Sequence, residues 1–417
     1  MDEIRKLEWG ELSRFVEISA EAYPLFLPQP GGSLQSFADD LKARVEDDSR
    51  MGLWGFFRDG VMLGSMIFYD FRMNLFGNLS PIGGLGLLSV DLQSRKQHIA
   101  RDMVLRFLRH YDEHGAPLAA LYPFRPDFYR KMGFGFGSPY HEHIVPPSSL
   151  PSGEMRKFVR MATIEDTPAI AACYWGAFTR MHGLFEKPEH DFRRMMERQG
   201  LRFAVFEAVG GVQGYAAFEF ERAVADSMFL QDVVVREMVW NTREALEGLL
   251  GFLSGLSDQV RFVRLTVQDD EFVHLLRDPR DSSTRVFPPV CHKSANQGIG
   301  IMYRILDLKW FFELTAGHRF GTESFTLTID LRDGFLHDKT ASTIVRFEEG
   351  IPKVMSRSRP GLRMEIGIDC LSSLLLGCVR FRSLYEYGLA GLSDVSSVDV
   401  LDEAFRVPRK PICWTSF

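Results

Sequence analysis

Cysteine is scarce in this chain. The five present among 417 residues (Cys173, Cys291, Cys370, Cys378 and Cys413) are an odd number, widely scattered, and no two form a Cys-x-x-Cys pair. Neither a disulfide framework nor a zinc or redox motif is therefore expected, and free thiols in a reducing compartment are the simplest reading. Long apolar runs are missing as well: none approaches the roughly 18 residues that a membrane span needs. The opening Met1-Asp2-Glu3-Ile4-Arg5-Lys6 has neither the basic start nor the apolar stretch of a secretory signal, so a cytoplasmic location is expected. Positive charge is not in surplus, with 49 Lys and Arg against 55 Asp and Glu and a net charge of −6, which argues against a dedicated nucleic-acid binder. His110, His114, His141 and His143 lie near few carboxylates and share no compact ligand motif, so no metal is expected.

What is there has the balance of an ordinary globular protein, 45% hydrophobic and 25% charged. The length exceeds one hydrophobic core and implies about two to four domains. Val145-Pro146-Pro147-Ser148-Ser149-Leu150-Pro151-Ser152-Gly153 is too rich in Pro and Ser for a helix interior or central strand and reads as a first seam. Val286-Phe287-Pro288-Pro289, extended through Lys293-Ser294-Ala295-Asn296-Gln297-Gly298, reads as a second. The expected segments are residues 1–150, 151–288 and 289–417.

In the first segment, Glu8 to Ile18 has apolar residues at helical spacing. Trp54-Gly55-Phe56-Phe57 and Val61 to Tyr69 flank Asp59-Gly60 and read as a hairpin. Ile82-Gly83-Gly84-Leu85-Gly86-Leu87-Leu88-Ser89-Val90 is a strand whose glycines mark a bulge or a close approach. The period turns helical from Ile99 to Asp112, Leu118 to Tyr122 is another short strand, and Pro126 suits the first turn of a short helix carrying Tyr129.

The second segment repeats this order: a helix after Met161 to Asp166, a hairpin of Phe203 to Glu207 and Gly214 to Phe220 about Gly210-Gly211, then Asp232 to Val235 before a helix from Arg243. Arg236-Glu237-Met238-Val239-Trp240-Asn241 has no basic-glycine pattern, so this copy is expected to bind no coenzyme. In the third segment, Phe325 to Asp330 and Ala341 to Phe347 alternate as half-buried strands.

Two places carry chemistry. Arg95 and Lys96, with His98, Ile99 and Ala100, stand between strand and helix, where backbone N–H groups and a helix N-terminus attract phosphate. The tail Ile412-Cys413-Trp414-Thr415-Ser416-Phe417 stays apolar and aromatic to the end, unlike an ordinary polar, frayed terminus. Burial beside rings disfavours the charged form of an α-carboxylate and lifts it from about 3.5 toward a working base. Docking for packing alone is the other reading of this tail. The aromatics of Phe68-Tyr69-Asp70-Phe71 and of Glu21 to Phe26 are expected at a substrate cavity.

Strand, Val90-x4-Arg95-x2-His98-x-Ala100, long helix, strand and Phe128-Tyr129-x-Lys131-x-Gly133-Phe134 together resemble the GCN5-related N-acetyltransferase (GNAT) superfamily. Its R-x-x-G-x-A turn grips the pyrophosphate of coenzyme A. His98 replaces that glycine; it is either tolerated in the turn or donates to phosphate. Tandem GNAT folds followed by Met302-Tyr303-Arg304-Ile305-Leu306-Asp307, Met364 to Leu374 and a terminal phenylalanine resemble, over nearly the whole chain, the enhanced intracellular survival (Eis) family. The resemblance implies an α/β architecture: two GNAT folds with mixed sheets flanked by helices, then a sterol carrier protein-like α+β domain that sends its C-terminus into the first domain's site. It implies acetyl transfer from acetyl-CoA to primary amines of aminoglycosides, other polyamines or lysine side chains, in a homo-hexamer. Tyr129 would be the general acid, the Phe417 carboxylate the base, and Leu88, Ser89, Val90, Arg95, Lys96, His98, Ile99 and Ala100 the coenzyme contacts. A lipid- or sterol-binding protein and an inactive scaffold are the alternatives.

Overall fold

The computed structural model describes the chain except residues 26–31, 224–228, 284, 337–340 and 358–360. It divides into two compact units, one of residues 1–137, 301–409 and 415–417, the other of residues 138–300 and 410–414.

The first unit is built on a seven-stranded sheet. Its strands are β1 (Asp2–Lys6), β2 (Met51–Arg58), β3 (Val61–Leu75), β4 (Asn78–Val90), β5 (Leu118–Leu121), the strand Met302–Ile305, and β6 (Gly135–Phe136), in that order across the sheet. Asp59 and Gly60 carry the positive φ angles, 50° and 81°, that close the β2–β3 hairpin with the right twist. Only β4 and β5 run parallel in this sheet, and helix α3 (Ile99–Glu113) makes the crossover between them. Ile99, Met103, Phe107 and Leu108 of α3 are buried against Phe56, Met66 and Phe68, so the helical spacing in the sequence corresponds to one core-facing stripe. Helix α1 (Leu12–Ala22) buries Phe15, Val16 and Ile18 and packs on β3 and β4; helix α2 (Leu34–Asp47) follows it.

Met302–Ile305 pairs with β5 and with β6. The sequence pattern there reads as the restart of a third segment, but four consecutive buried residues suit an inner strand, and the first sheet supplies that position. A second sheet of this unit has five strands, ordered Ile351–Met355, Ala341–Glu348, Phe325–Arg332, Leu362–Gly367 and Ala390–Leu392, with helices Leu308–Leu314, Ile368–Leu375, Phe381–Glu386 and Val398–Ala404.

The second unit repeats the plan of the first sheet. Strands Val159–Met161, Arg202–Ala208, Gly211–Arg222 and Gln231–Trp240 are antiparallel neighbours, and Gln231–Trp240 then pairs in parallel with Val260–Val267 across helix Arg243–Ser254. Tyr140–Val145 and Asn296–Gly298 complete the sheet. The seam near residue 150 lies inside this unit: Val145 and Leu150 are fully buried in its core, because the apolar residues among the prolines have a place to pack. The later seam carries short exposed strands, Val286–Phe287 against Cys291–His292. Arg236 to Trp240 lie within the strand itself, leaving Asn241 and Thr242 before the helix, with the Thr242 hydroxyl accepting from the Ala245 N–H at 3.1 Å.

Candidate active site

β4 is bent where the site forms. Its pairing with β3 runs from Asn78 to Gly86, slips, and resumes at Ser89 opposite Ser65, with Leu87 at φ 44°. Such a bulge bends the strand. The parallel pairing with β5 covers Ile82 to Leu85, so, among the described residues, residues 86–90 of β4 have a strand on one side and an open edge on the other. The Leu88 carbonyl receives the Tyr23 hydroxyl at 2.9 Å. In a strand the N–H and C=O of one residue point the same way, which leaves the Leu88 N–H on that edge, and Val90 follows by alternation.

After β4, Asp91 accepts from the Gln93 N–H at 3.0 Å and pairs with Arg14, which pins the start of the loop. Arg95, Lys96 and His98 are exposed, Ile99 is buried and Ala100 is half-buried at the head of α3. His98 stands in the left-handed region at φ 63° and caps the helix, and Lys96 is left-handed at φ 65°. The turn thus keeps the backbone shape that a glycine favours although His fills the position. Histidine is among the side chains enriched there, at a cost of roughly 1–2 kcal/mol. An open strand edge leading to a basic loop and the N-terminus of a 15-residue helix fits a pantetheine arm ending in a pyrophosphate.

Tyr129 is the penultimate residue of the short helix α4 (Pro126–Arg130), whose proline takes the first-turn position. The residue is 6% exposed. Its ring lies 5.2 Å from that of Phe128 and 6.1 Å from that of Phe134, and its carbonyl accepts from the Met132 and Phe134 N–H groups at 2.9 and 3.1 Å. Burial, and then the nearby Tyr23, push its phenol above the ordinary value, so it stays protonated at neutral pH.

Phe417 lies in the same unit. Its ring centroid is 4.9 Å from Phe71, 5.4 Å from Tyr122 and 5.6 Å from Tyr69, and the Tyr122 hydroxyl donates to the Thr415 carbonyl at 3.0 Å. A Cβ on Gly84 would stand 3.1 Å from the Phe417 ring, and one on Gly86 would stand 3.4 Å from its carboxyl carbon. Those glycines therefore clear the path for the terminus. Tyr129 and Phe417 line one cavity of about 350 Å³, together with Tyr23, Leu85, Gly86, Leu87, Leu88, Tyr122, Pro123 and Phe124.

Of the aromatics singled out in sequence, Tyr23 reaches this cavity and Tyr69 and Phe71 touch Phe417. Phe68 faces the opposite side, stacked 4.6 Å from Trp54, as the period of two requires, and Phe26 lies outside the described residues. Sequence reading missed Tyr122. Its signal is weak: a tyrosine at the end of a parallel strand, where α/β sheets gather ligands. The rings of His110, on α3, and His114, just past its end, lie tilted at 35° with centroids 4.2 Å apart, and burial lowers the His110 imidazole below its usual value.

Residues 3–137 match the acetyltransferase (GNAT) domain, residues 176–305 match another acetyltransferase (GNAT) domain, and residues 311–414 match the sterol carrier protein domain. No curated protein matches the chain significantly. Solved structures similar over all of both chains include a GCN5-related N-acetyltransferase from Anabaena variabilis (15% identity, TM-score 0.80), one from Kribbella flavida (19%, 0.78) and Eis1 from Mycobacterium abscessus (18%, 0.76). At these identities the likeness is one of fold. By its domains, this chain is a GNAT-type acyltransferase: two acetyltransferase folds followed by a sterol carrier protein fold.

Proposed function

We propose that this chain is an Eis-type N-acetyltransferase that moves the acetyl group of acetyl-CoA to a primary amine, with Tyr129 as general acid and the Phe417 carboxylate as base. The observation that carries the reading is that these two residues, far apart in sequence, line one cavity beside the open edge of β4. Leu88, Ser89 and Val90 would meet the pantetheine arm, and Arg95, Lys96, His98, Ile99 and Ala100 would form the pyrophosphate turn. The second acetyltransferase fold is read as binding no coenzyme, and the sterol carrier segment as the donor of the terminal base.

When bound, acetyl-CoA supplies an activated thioester. The Phe417 carboxylate removes one proton from the acceptor ammonium; a primary amine is almost wholly protonated at neutral pH, so this removal contributes about 10²- to 10⁴-fold. The freed nitrogen lone pair forms the C–N bond as the C–S bond breaks. Backbone N–H groups at the open edge of β4 face the negative charge that develops on the carbonyl oxygen, each donor contributing about 3–4 kcal/mol. Tyr129 gives its proton to the departing sulfur; the second proton that the nitrogen loses as the amide forms returns, directly or through solvent, to the Tyr129 phenolate, and the Phe417 carboxyl releases its proton to solvent.

Aminoglycosides, other polyamines and lysine side chains are the proposed acceptors, and a homo-hexamer the proposed assembly. The test is thiol release from acetyl-CoA with a panel of these amines, for wild type, Tyr129→Phe and a chain lengthened beyond Phe417. Loss of turnover in both variants with coenzyme binding retained supports the assignment. A wild type that neither binds coenzyme nor releases thiol overturns it.

A further inference from the structure

The acid-bearing helix α4 has five residues, too short to hold its own geometry in water. What holds it comes from the far end of the chain. Arg304 is fully buried, and its Nη1 donates to the Met132 carbonyl at 2.6 Å while its Nη2 donates to Asp333 Oδ2 at 2.6 Å. Asp333 Oδ1 accepts in turn from the Phe335 N–H at 3.2 Å, which orients the carboxylate. Burial raises Asp333 most, but the Arg304 charge and hydrogen bond outweigh it and keep the carboxyl below its usual range. Gly133, at φ 84°, passes so close that a Cβ there would fall on the Arg304 guanidinium. Two more grips follow along the loop. Arg130 Nε donates to Asp369 Oδ2 at 3.0 Å, and the Ser373 hydroxyl donates to the Phe136 carbonyl at 2.8 Å. Each partner outside the loop belongs to residues 301–409.

A buried ion pair adds little net stability over an apolar pair of the same shape, so stability alone is a weak reason for this one. Its directional bonds do something an apolar pair cannot: they fix the carbonyl of the residue whose N–H caps Tyr129. We propose that Arg304 and Asp333, aided by Asp369, are positioning residues that clamp the loop Tyr129 to Phe136 and thereby set where the Tyr129 hydroxyl points into the cavity. The chain after residue 300 would then serve both proton-transfer groups, one by its terminus and one by this clamp. The inference rests on Tyr129 being the general acid.

The test is a double variant, Arg304→Met with Asp333→Leu, which replaces the pair by apolar groups of similar volume. Kinetics with kanamycin and spermine, thermal unfolding, and a double-mutant cycle with Tyr129→Phe are measured on the full chain. The clamp predicts a kcat loss of about tenfold or more with the acetyl-CoA KM changed by less than about twofold, since misplacing a reacting group is costly while ground-state binding is untouched. It also predicts no further loss when the variant is added to Tyr129→Phe, whereas a merely structural role gives losses that multiply. Wild-type kcat in the folded double variant, or multiplying losses, overturns the clamp. Should that variant not fold, Asp369→Asn at the more exposed grip takes its place, with a smaller kcat loss and the same lack of further effect in Tyr129→Phe; unchanged kcat there is equally fatal. If neither amine is acetylated, amide exchange still decides: it should quicken over residues 129–136 and not in α3, and unchanged exchange overturns the clamp. A Tyr129→Phe enzyme at full kcat removes the acid reading and the clamp together, while an inactive Tyr129→Phe beside fully active clamp variants removes the clamp alone.

Discussion

Gly86 and the chain terminus are one methyl apart: a Cβ on Gly86 would stand 3.4 Å from the Phe417 carboxyl carbon and 2.7 Å from the Tyr69 ring. The strand with the open edge thus meets the proposed base at a residue that has no side chain. This relationship leads to the first expectation. Gly86→Ala should push the Tyr69 ring against Phe417 and shift the terminus by a fraction of an ångström. A loss of about 10- to 100-fold in kcat is expected, with coenzyme affinity within about threefold. Steady-state kinetics beside a coenzyme titration checks it; an Ala variant with normal kcat would show that the terminus does not need this clearance.

Ring and carboxylate of Phe417 can be separated. Phe417→Ala keeps a terminal carboxylate but loses the rings of Tyr69, Phe71 and Tyr122 that hold it, so activity should fall and part of it should persist. Tyr122→Phe removes the 3.0 Å bond to the Thr415 carbonyl and should cost about 0.5–1.5 kcal/mol, read as roughly a 2- to 12-fold drop in kcat/KM. Deleting Phe417 moves the carboxylate away and should cost more than either substitution.

The pH dependence follows from the sign of the Tyr129 shift. Its phenol is raised in the folded chain, so the folded state holds this proton when the unfolded state has released it. The resulting stability is fully present below the ordinary phenol value near 10 and is lost as pH rises through the higher folded value. As the proposed general acid, Tyr129 therefore imposes no alkaline decline on kcat at or below about pH 10. Rates from pH 6 to 10 in wild type check this; an alkaline limb below pH 9 that vanishes in Tyr129→Phe would contradict it.

In the second unit, Lys187 and Glu237 form a buried ion pair, and the Tyr215 hydroxyl donates to the same carboxylate. Replacing Lys187 by Met leaves Glu237 without its cation. A loss of about 3–5 kcal/mol is expected, measured by denaturant unfolding, and Lys187→Met with Glu237→Leu should recover most of it. The unit also holds the tail upstream of Phe417: Ser138 donates to the Pro411 carbonyl at 2.7 Å, the Cys413 N–H donates to Gln268 at 2.7 Å, and Tyr140 donates to the Cys413 carbonyl at 2.8 Å.

Much of the fold was legible because its determinants are local. Asp59-Gly60 between alternating strands, Pro126 ahead of Tyr129, and the Ile99, Met103, Phe107 stripe each specify a turn, a helix start or a buried face within a few residues. The repeated order in the second segment was legible for the same reason. Two exchanges were not. Tyr140–Val145 joins the second unit's sheet and Met302–Ile305 the first unit's, although each lies on the other side of a seam read from Pro and Ser content. Composition marks where a chain can turn, not which sheet edge will accept the next strand.

By itself the sequence determined the α/β classes of its segments, the loop that presents Arg95 and Lys96 to a helix N-terminus, the helix that carries Tyr129, and an apolar terminus that favours burial. Only the tertiary structure decided that the terminus lies beside Gly86, that Tyr122 holds it, and that Arg304 and Asp333 clamp the loop behind Tyr129. The reason is physical. Turns, caps and amphipathic faces are written in neighbours a few residues apart, whereas a glycine announces only that something comes close, and a buried charge gains its partner from residues far along the chain once the sheets have closed.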